Sequence, residues 1–141
     1  SRPDKYTWRA ADPEKVRALS ASILKVGRPQ LAVGAAHGSI MAGLLLAEYL
    51  SCELWFVRFS MFKRNDREPV VSELDRARML ERGGNDGSGI VLFDEDSASG
   101  TTMRIMADSL RRIVPRARTA AVIRHQSASF RPDHVGKVWW D

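Results

Sequence analysis

The chain lacks the residues that mark several common kinds of protein. It has one cysteine, Cys52, in 141 residues, so no disulfide can close within it, and the expected setting is a reducing cytoplasm. No apolar run approaches the roughly 20 residues that span a bilayer. The longest, residues 40–46, is interrupted by Gly43 and followed by Glu48 and Tyr49. The polar opening Ser1-Arg2-Pro3-Asp4-Lys5 predicts no signal peptide. There is no Lys/Arg tract, aromatic-basic repeat, internal repeat or low-complexity segment. The excess of 22 basic over 17 acidic side chains, +5 in all, is therefore scattered. It reads as solvated faces, which also suit a small ligand carrying several phosphates; neither nucleic acid nor membrane is expected as a partner.

What is present is an ordinary globular composition, 44% hydrophobic and 28% charged, in a length that suits one domain spanning residues 1–141. Asp12-Pro13-Glu14 is a helix start, and Val16, Leu19, Ile23 and Val26 follow at helical spacing before Gly27. Residues 31–33 predict a short buried strand broken by Gly34, and Ser39 can cap a helix reaching about Leu50. Residues 54–59 predict the next strand, 72–82 a short charged helix, and 83–87 a Gly-rich turn. A strand at 90–93, a helix at 100–113 and a strand at 119–123 complete the pattern. Strands alternating with helices predict an α/β fold with a mainly parallel central sheet flanked by helices. In such sheets ligands sit beyond the carboxyl ends of the strands. Three of those ends carry unusual chemistry: residues 34–39, 94–102 and 124–126.

The most informative segment runs from Ile90 to Met103. An apolar strand delivers Asp94 and Glu95, then a small-residue loop, then a helix start. Backbone amides and the hydroxyls of Ser99, Thr101 and Thr102 can surround a phosphate at the positive end of that helix, and Gly100 allows close approach. The two acids would repel the phosphate; they suit ribose hydroxyls or Mg²⁺. An anion site beside a hydroxyl or metal site matches a sugar phosphate.

This segment resembles the phosphoribosyl-pyrophosphate motif of type I phosphoribosyltransferases, closest to their purine (hypoxanthine-guanine and xanthine) branch. The resemblance implies that Asp94 and Glu95 hold the ribose hydroxyls and Mg²⁺ and act in catalysis. It implies that Ala98, Ser99, Gly100, Thr101 and Thr102 hold the 5′-phosphate. Residues 33–39 resemble the family's pyrophosphate loop, which implies binding by Ala36, His37, Gly38 and Ser39, with a cis peptide expected at Ala36–His37. Residues 53–62 resemble the strand leading into the family's flexible loop, here about 61–71. That likeness turns Arg58 toward pyrophosphate and lets Lys63, Arg64 and Arg67 close over the ligand.

At the base-binding end Arg124 stands where hypoxanthine-guanine relatives carry a Lys that reads the purine. Residues 132–136 resemble the hood, a small subdomain expected from about 125–141 plus the N-terminal segment, which opens with Tyr6-Thr7-Trp8. In one register His134 stacks on the base, Val135 supplies a carbonyl and Asp141 binds metal; in another, Trp139 is the stacking residue. The implied reaction is transfer of ribose 5-phosphate from 5-phosphoribosyl-1-pyrophosphate to a ring nitrogen of a purine-like base, with release of pyrophosphate, by a homodimer. Three departures motivate an alternative, a ligand-sensing or regulatory module that binds phosphoribosyl pyrophosphate or a nucleotide with little turnover. Asp96 and Ser97 replace a pair that is usually apolar in the family. Ala98 stands where hypoxanthine-guanine enzymes carry Asp, and His37 where relatives commonly carry Arg or Lys.

Overall fold

The computed structural model describes residues 12–36, 40–59, 65–97 and 100–139. Expectations resting on Tyr6 to Trp8, His37, Gly38, Ser39, Lys63, Arg64, Ala98, Ser99 and Asp141, and on the side chain of Ala36, lie outside the described residues.

Helix α1 (Pro13–Val26) begins where its sequence predicts: Glu14 N donates to Asp12 Oδ1 at 3.1 Å. Val16, Leu19 and Ile23 form its buried stripe, whereas Val26, expected on the same stripe, is 70% exposed because the helix ends there at Gly27. Strand β1 (Leu31–Ala36) leads to α2 (Ile40–Leu50) and β2 (Glu53–Arg58). Helix α3 (Glu73–Arg82) opens with a reciprocal cap: Asp75 N donates to Ser72 Oγ, and Ser72 N donates to Asp75 Oδ2. Strand β3 (Ile90–Ser97), α4 (Thr101–Leu110), β4 (Arg118–His125) and β5 (His134–Trp139) complete the chain.

The five strands form one sheet in the order β2-β1-β3-β4-β5, and every pairing is parallel. Helices α1 and α2 cover one face, where Leu19, Ile23, Leu46 and Leu50 pack with Ala32, Val91 and Phe93. Helices α3 and α4 cover the other, where Met79, Met103, Met106 and Leu110 pack with Val33, Ile90 and Leu92. Full burial of each large side chain contributes roughly 1.5–3 kcal/mol, so the two layers hold the strand ends rigidly.

Two strands run further than predicted. Strand β1 continues through Gly34 to Ala36, because Gly34 is a packing position rather than a break: a Cβ there would lie 2.5 Å from Phe93 Cζ. Strand β3 continues past Phe93 through both acids to Ser97, its ladder held by pairs such as Asp94 with Ala121 and Ser97 with Arg124.

Residues 134–139, within the segment expected in the hood, form the fifth strand of the main sheet. Residues 126–133 cross from β4 to β5 without a helix, burying Ala128 and Pro132. Asp133 anchors the end of this crossover: its Oδ2 accepts from Thr119 N, Thr119 Oγ1 and Arg111 Nη2. No helix among the described residues is long and apolar enough to cross a membrane.

Candidate functional site

In this strand order the chain leaves β1 toward one side and β3 toward the other. After β1 it enters α2 on one face; after β3 it enters α4 on the opposite face. The helices that follow these two neighbouring strands lie on opposite faces, so the carboxyl ends of β1 and β3 are the topological switch point, where the binding crevice of an open α/β sheet lies. Ala36 ends β1 at this crevice, and Asp94, Glu95, Asp96 and Ser97 form the last half of β3. Of the residues predicted to carry the chemistry, Ala36, Asp94 and Glu95 therefore lie at the topological switch point.

One aromatic ring sets the spacing of these elements. Phe93, fully buried, precedes Asp94 and lies against Gly34 of β1 and Gly43 of α2, where added Cβ atoms would come within 2.5 and 2.6 Å of its Cζ. Its ring meets Phe56 of β2 edge to face at 6.2 Å.

Asp94 and Glu95 are both half-buried, and Glu95 N donates to Asp94 Oδ1 at 2.9 Å. Strand alternation carries Asp94 to the face of Leu92, the α4 side, and Glu95 to the face of Phe93, the α2 side. Among the described residues no group of three or more His, Cys, Asp or Glu side chains can hold a metal ion. The donor set still fits Mg²⁺, which is commonly held by one or two carboxylates and completed by phosphate oxygens and water.

Gly100 is the N-cap of α4 with φ +84°, a left-handed conformation that glycine adopts without strain. It has no side chain to cap the first turn, and Thr101 and Thr102 sit half-buried there rather than inside the core. Helix starts in general offer free amides and the positive dipole end to anions.

Arg58 ends β2 in register with Ala36 and is exposed. It lines a cavity of about 310 Å³ with Val70, Ser72 and Asp75 on the outer edge of the sheet. Its carbonyl accepts from Val70 N at 2.8 Å, which ties the segment after residues 60–64 back to the strand.

Arg124 reaches the carboxyl edge of β4 beside Ser97, but its guanidinium turns to the chain's own backbone. It is 8% exposed, and its Nη2 donates to Gln126 O at 3.3 Å and Ala128 O at 3.2 Å. Arg124, expected to donate to a base carbonyl, is a buried tie across a turn.

His134 and Val135, the pair of one stacking register, lie at the amino end of β5. His134 opens β5, five positions before Trp139, about 16 Å along the strand from the carboxyl edge. It is buried against α1: its Nδ1 lies 3.0 Å from Ser22 Oγ and its Nε2 3.4 Å from Arg118 Nη1. An arginine only donates, so Nε2 accepts, and Nδ1 carries the proton that goes to Ser22. Burial and the neighbouring Arg118 charge hold the imidazole below its ordinary pKa, against a smaller opposing pull from Asp133. Val135 is likewise inside the strand, paired with Ala121. Trp139, in register with His125, is the aromatic of β5 at the carboxyl edge, half-buried against the α1 side.

The sequence reading overlooked Phe130. A Cβ on Gly100 would stand 2.8 Å from both the Cβ and the backbone N of Phe130, so the crossover from β4 presses on the start of α4. Ala128, Phe130 and Pro132 turn inward at every second position, a period-2 pattern that marks an extended segment.

No family model matches the sequence, and no curated protein matches it either. The fold does have solved counterparts. A purine phosphoribosyltransferase from Pyrococcus horikoshii superposes with a TM-score of 0.63 over 89% of this chain and 80% of its own, at 15% identity. A hypoxanthine-guanine phosphoribosyltransferase from Bacillus anthracis gives 0.64 over 96% and 80%, also at 15% identity. A hypothetical protein from Neisseria gonorrhoeae with bound ppGpp gives 0.70 over 91% and 80%, at 18% identity. At these identities the likeness establishes the fold, that of the type I phosphoribosyltransferases, over most of the chain.

Proposed function

We propose that this protein transfers ribose 5-phosphate from 5-phosphoribosyl-1-pyrophosphate to a ring nitrogen of a purine-like base. The observation that carries the proposal is that Asp94 and Glu95, at the end of β3, and the Gly100 helix start follow one another at the β1/β3 switch point of a phosphoribosyltransferase fold. In this reading the first turn of α4, with Thr101 and Thr102, binds the 5′-phosphate. Asp94 and Glu95 accept hydrogen bonds from the ribose hydroxyls and stabilise positive charge as it develops at the ribosyl carbon. Mg²⁺ would be held by these carboxylates, and when bound it neutralises the pyrophosphate leaving group. Ala36, His37, Gly38 and Ser39 bind the pyrophosphate by their resemblance to the family's loop, and Trp139 offers an apolar surface to the base. The protein acts as a homodimer in the cytoplasm.

The decisive measurement mixes purified protein with Mg²⁺, phosphoribosyl pyrophosphate and a panel of purine and purine-like bases, and follows pyrophosphate. Base-dependent release is expected. Tight binding of phosphoribosyl pyrophosphate with no release for any base overturns the transferase reading.

A second reading is a sensor that binds a nucleotide at the same crevice. The likeness to the Neisseria gonorrhoeae protein solved with ppGpp favours it. Calorimetry with ppGpp, run beside the base panel, distinguishes the two: ppGpp binding without pyrophosphate release supports the sensor.

A further inference from the structure

Three observations join Arg124 to the phosphate loop. The first is its hydrogen bonding: the buried guanidinium donates from Nη2 to both Gln126 O and Ala128 O. One backbone bond closes the same turn, from Ala128 N to His125 O at 3.0 Å, and another, from Gln126 N to Trp139 O at 2.8 Å, ties its start to β5. The second is the path that follows. Ala128 is buried, and two residues later Phe130 packs into the core layer shared with Met103 of α4. The third is the contact this path makes. The Phe130 backbone and Cβ occupy the space in which a side chain on Gly100 would lie.

We infer that Arg124 is a positioning residue for the phosphate site: it ties down the turn at 126–128 so that Phe130 braces Gly100 at the head of α4. The inference rests on the phosphoribosyl-binding reading of that site. The chemistry explains why an arginine stands here. A planar, permanently charged guanidinium can serve two carbonyls from one nitrogen in a buried place, and hydrogen bonds from a charged donor are the stronger kind. Lysine concentrates its charge at one flexible point and holds two fixed carbonyls less well. The brace matters because Gly100 has no side chain to fix its own left-handed conformation. Without a neighbour pressing on it, the first amides of α4 would sample orientations that do not converge on a phosphate.

The rival role for Arg124 is reading the base. Its Nε is buried and has no hydrogen-bond partner among the described residues, so in that role this donor would serve a base carbonyl.

The test compares wild type with R124M, R124K and F130A, each first checked for a cooperative thermal transition. Dissociation constants are measured for ribose 5-phosphate and for phosphoribosyl pyrophosphate with Mg²⁺, and KM and base preference are measured where turnover occurs. R124M is expected to weaken both phosphate ligands about tenfold, with base preference and the KM for the base unchanged. R124K should fall between R124M and wild type. F130A should reproduce the loss, and R124M/F130A should be no worse than the weaker single variant, since both act through one contact. An altered base preference with unchanged phosphate affinity overturns the inference, as do fully additive losses. Should R124M fail to fold, F130A and R124K decide: unchanged phosphate affinity in F130A overturns it. Wild type that binds ribose 5-phosphate but releases no pyrophosphate overturns the transferase reading and leaves the brace to be judged on ribose 5-phosphate affinity alone. Wild type that binds neither ligand overturns both.

Discussion

Phe93 occupies the space that a side chain on Gly43 would need: a Cβ there would stand 2.6 Å from the Phe93 Cζ. The residue after Phe93 is Asp94, and Gly43 lies in the first turn of α2, so this contact fixes an acid of the candidate site relative to the helix that follows the second candidate loop. Function and core packing meet at one ring.

Gly43→Ala should therefore destabilise the protein by about 1–3 kcal/mol, because a packed aromatic ring cannot yield several tenths of an ångström without moving strand or helix. F93L, with a shorter side chain, should relieve the overlap, so G43A/F93L should lose less stability than the two single variants summed. Urea denaturation measures all three. Strict additivity would mean that Gly43 and Phe93 do not compete for the same space.

The same residues show what could be read before any coordinates. The starts of α1 and α3 were legible because Asp12 and Ser72 are local signals, acting through hydrogen bonds to amides two and three residues away. The strand core was legible from apolar runs, and the acids were legible as the end of such a run. Gly34 misled because glycine looks alike whether it bends a chain or admits a neighbour, and the neighbour, Phe93, is far off in sequence. Strand β5 was hidden for a related reason. Gly136 interrupts its apolar pattern, yet a Cβ there would come within 2.6 Å of both Lys15 O and Val122 O, so only glycine lets the strand pack under α1. Arg124 looked like a ligand donor because the carbonyls it serves belong to a turn whose shape no local signal reports.

Gly100→Ala combines two penalties. A left-handed backbone costs an alanine roughly 1–2 kcal/mol, and the new methyl would meet the Phe130 backbone at 2.8 Å. The expected result is a modest fall in thermal stability with a disproportionate loss of ribose 5-phosphate affinity, read by calorimetry. A loss of stability with unchanged affinity would separate this turn from phosphate binding.

Asp94→Asn and Glu95→Gln keep shape and remove charge. If the carboxylates stabilise a cationic ribosyl centre, each substitution should lower kcat/KM on the order of 10²-fold. The effect should fall mainly on kcat, while ribose 5-phosphate still binds through the loop. Unchanged turnover in both variants would dissociate the acids from catalysis.

His134 supplies a pH dependence whose sign follows from its surroundings. Burial and Arg118 lower its pKa in the folded protein below the roughly 6.5 of an unfolded chain. Between those two values the unfolded state binds more protons, so stability rises with pH. The contribution is fully present above about pH 6.5 and is lost as pH falls through the folded value, by at most about 1.4 kcal/mol per pH unit. Protonation would also set a second N–H against the Arg118 donor 3.4 Å away, which removes the acceptor that Arg118 uses. H134Q should lower stability at neutral pH but flatten the profile on its acid side, and nitrogen NMR of the wild-type ring should find the proton on Nδ1. Parallel stability profiles for wild type and H134Q across this range would show that the buried imidazole does not drive the acid sensitivity.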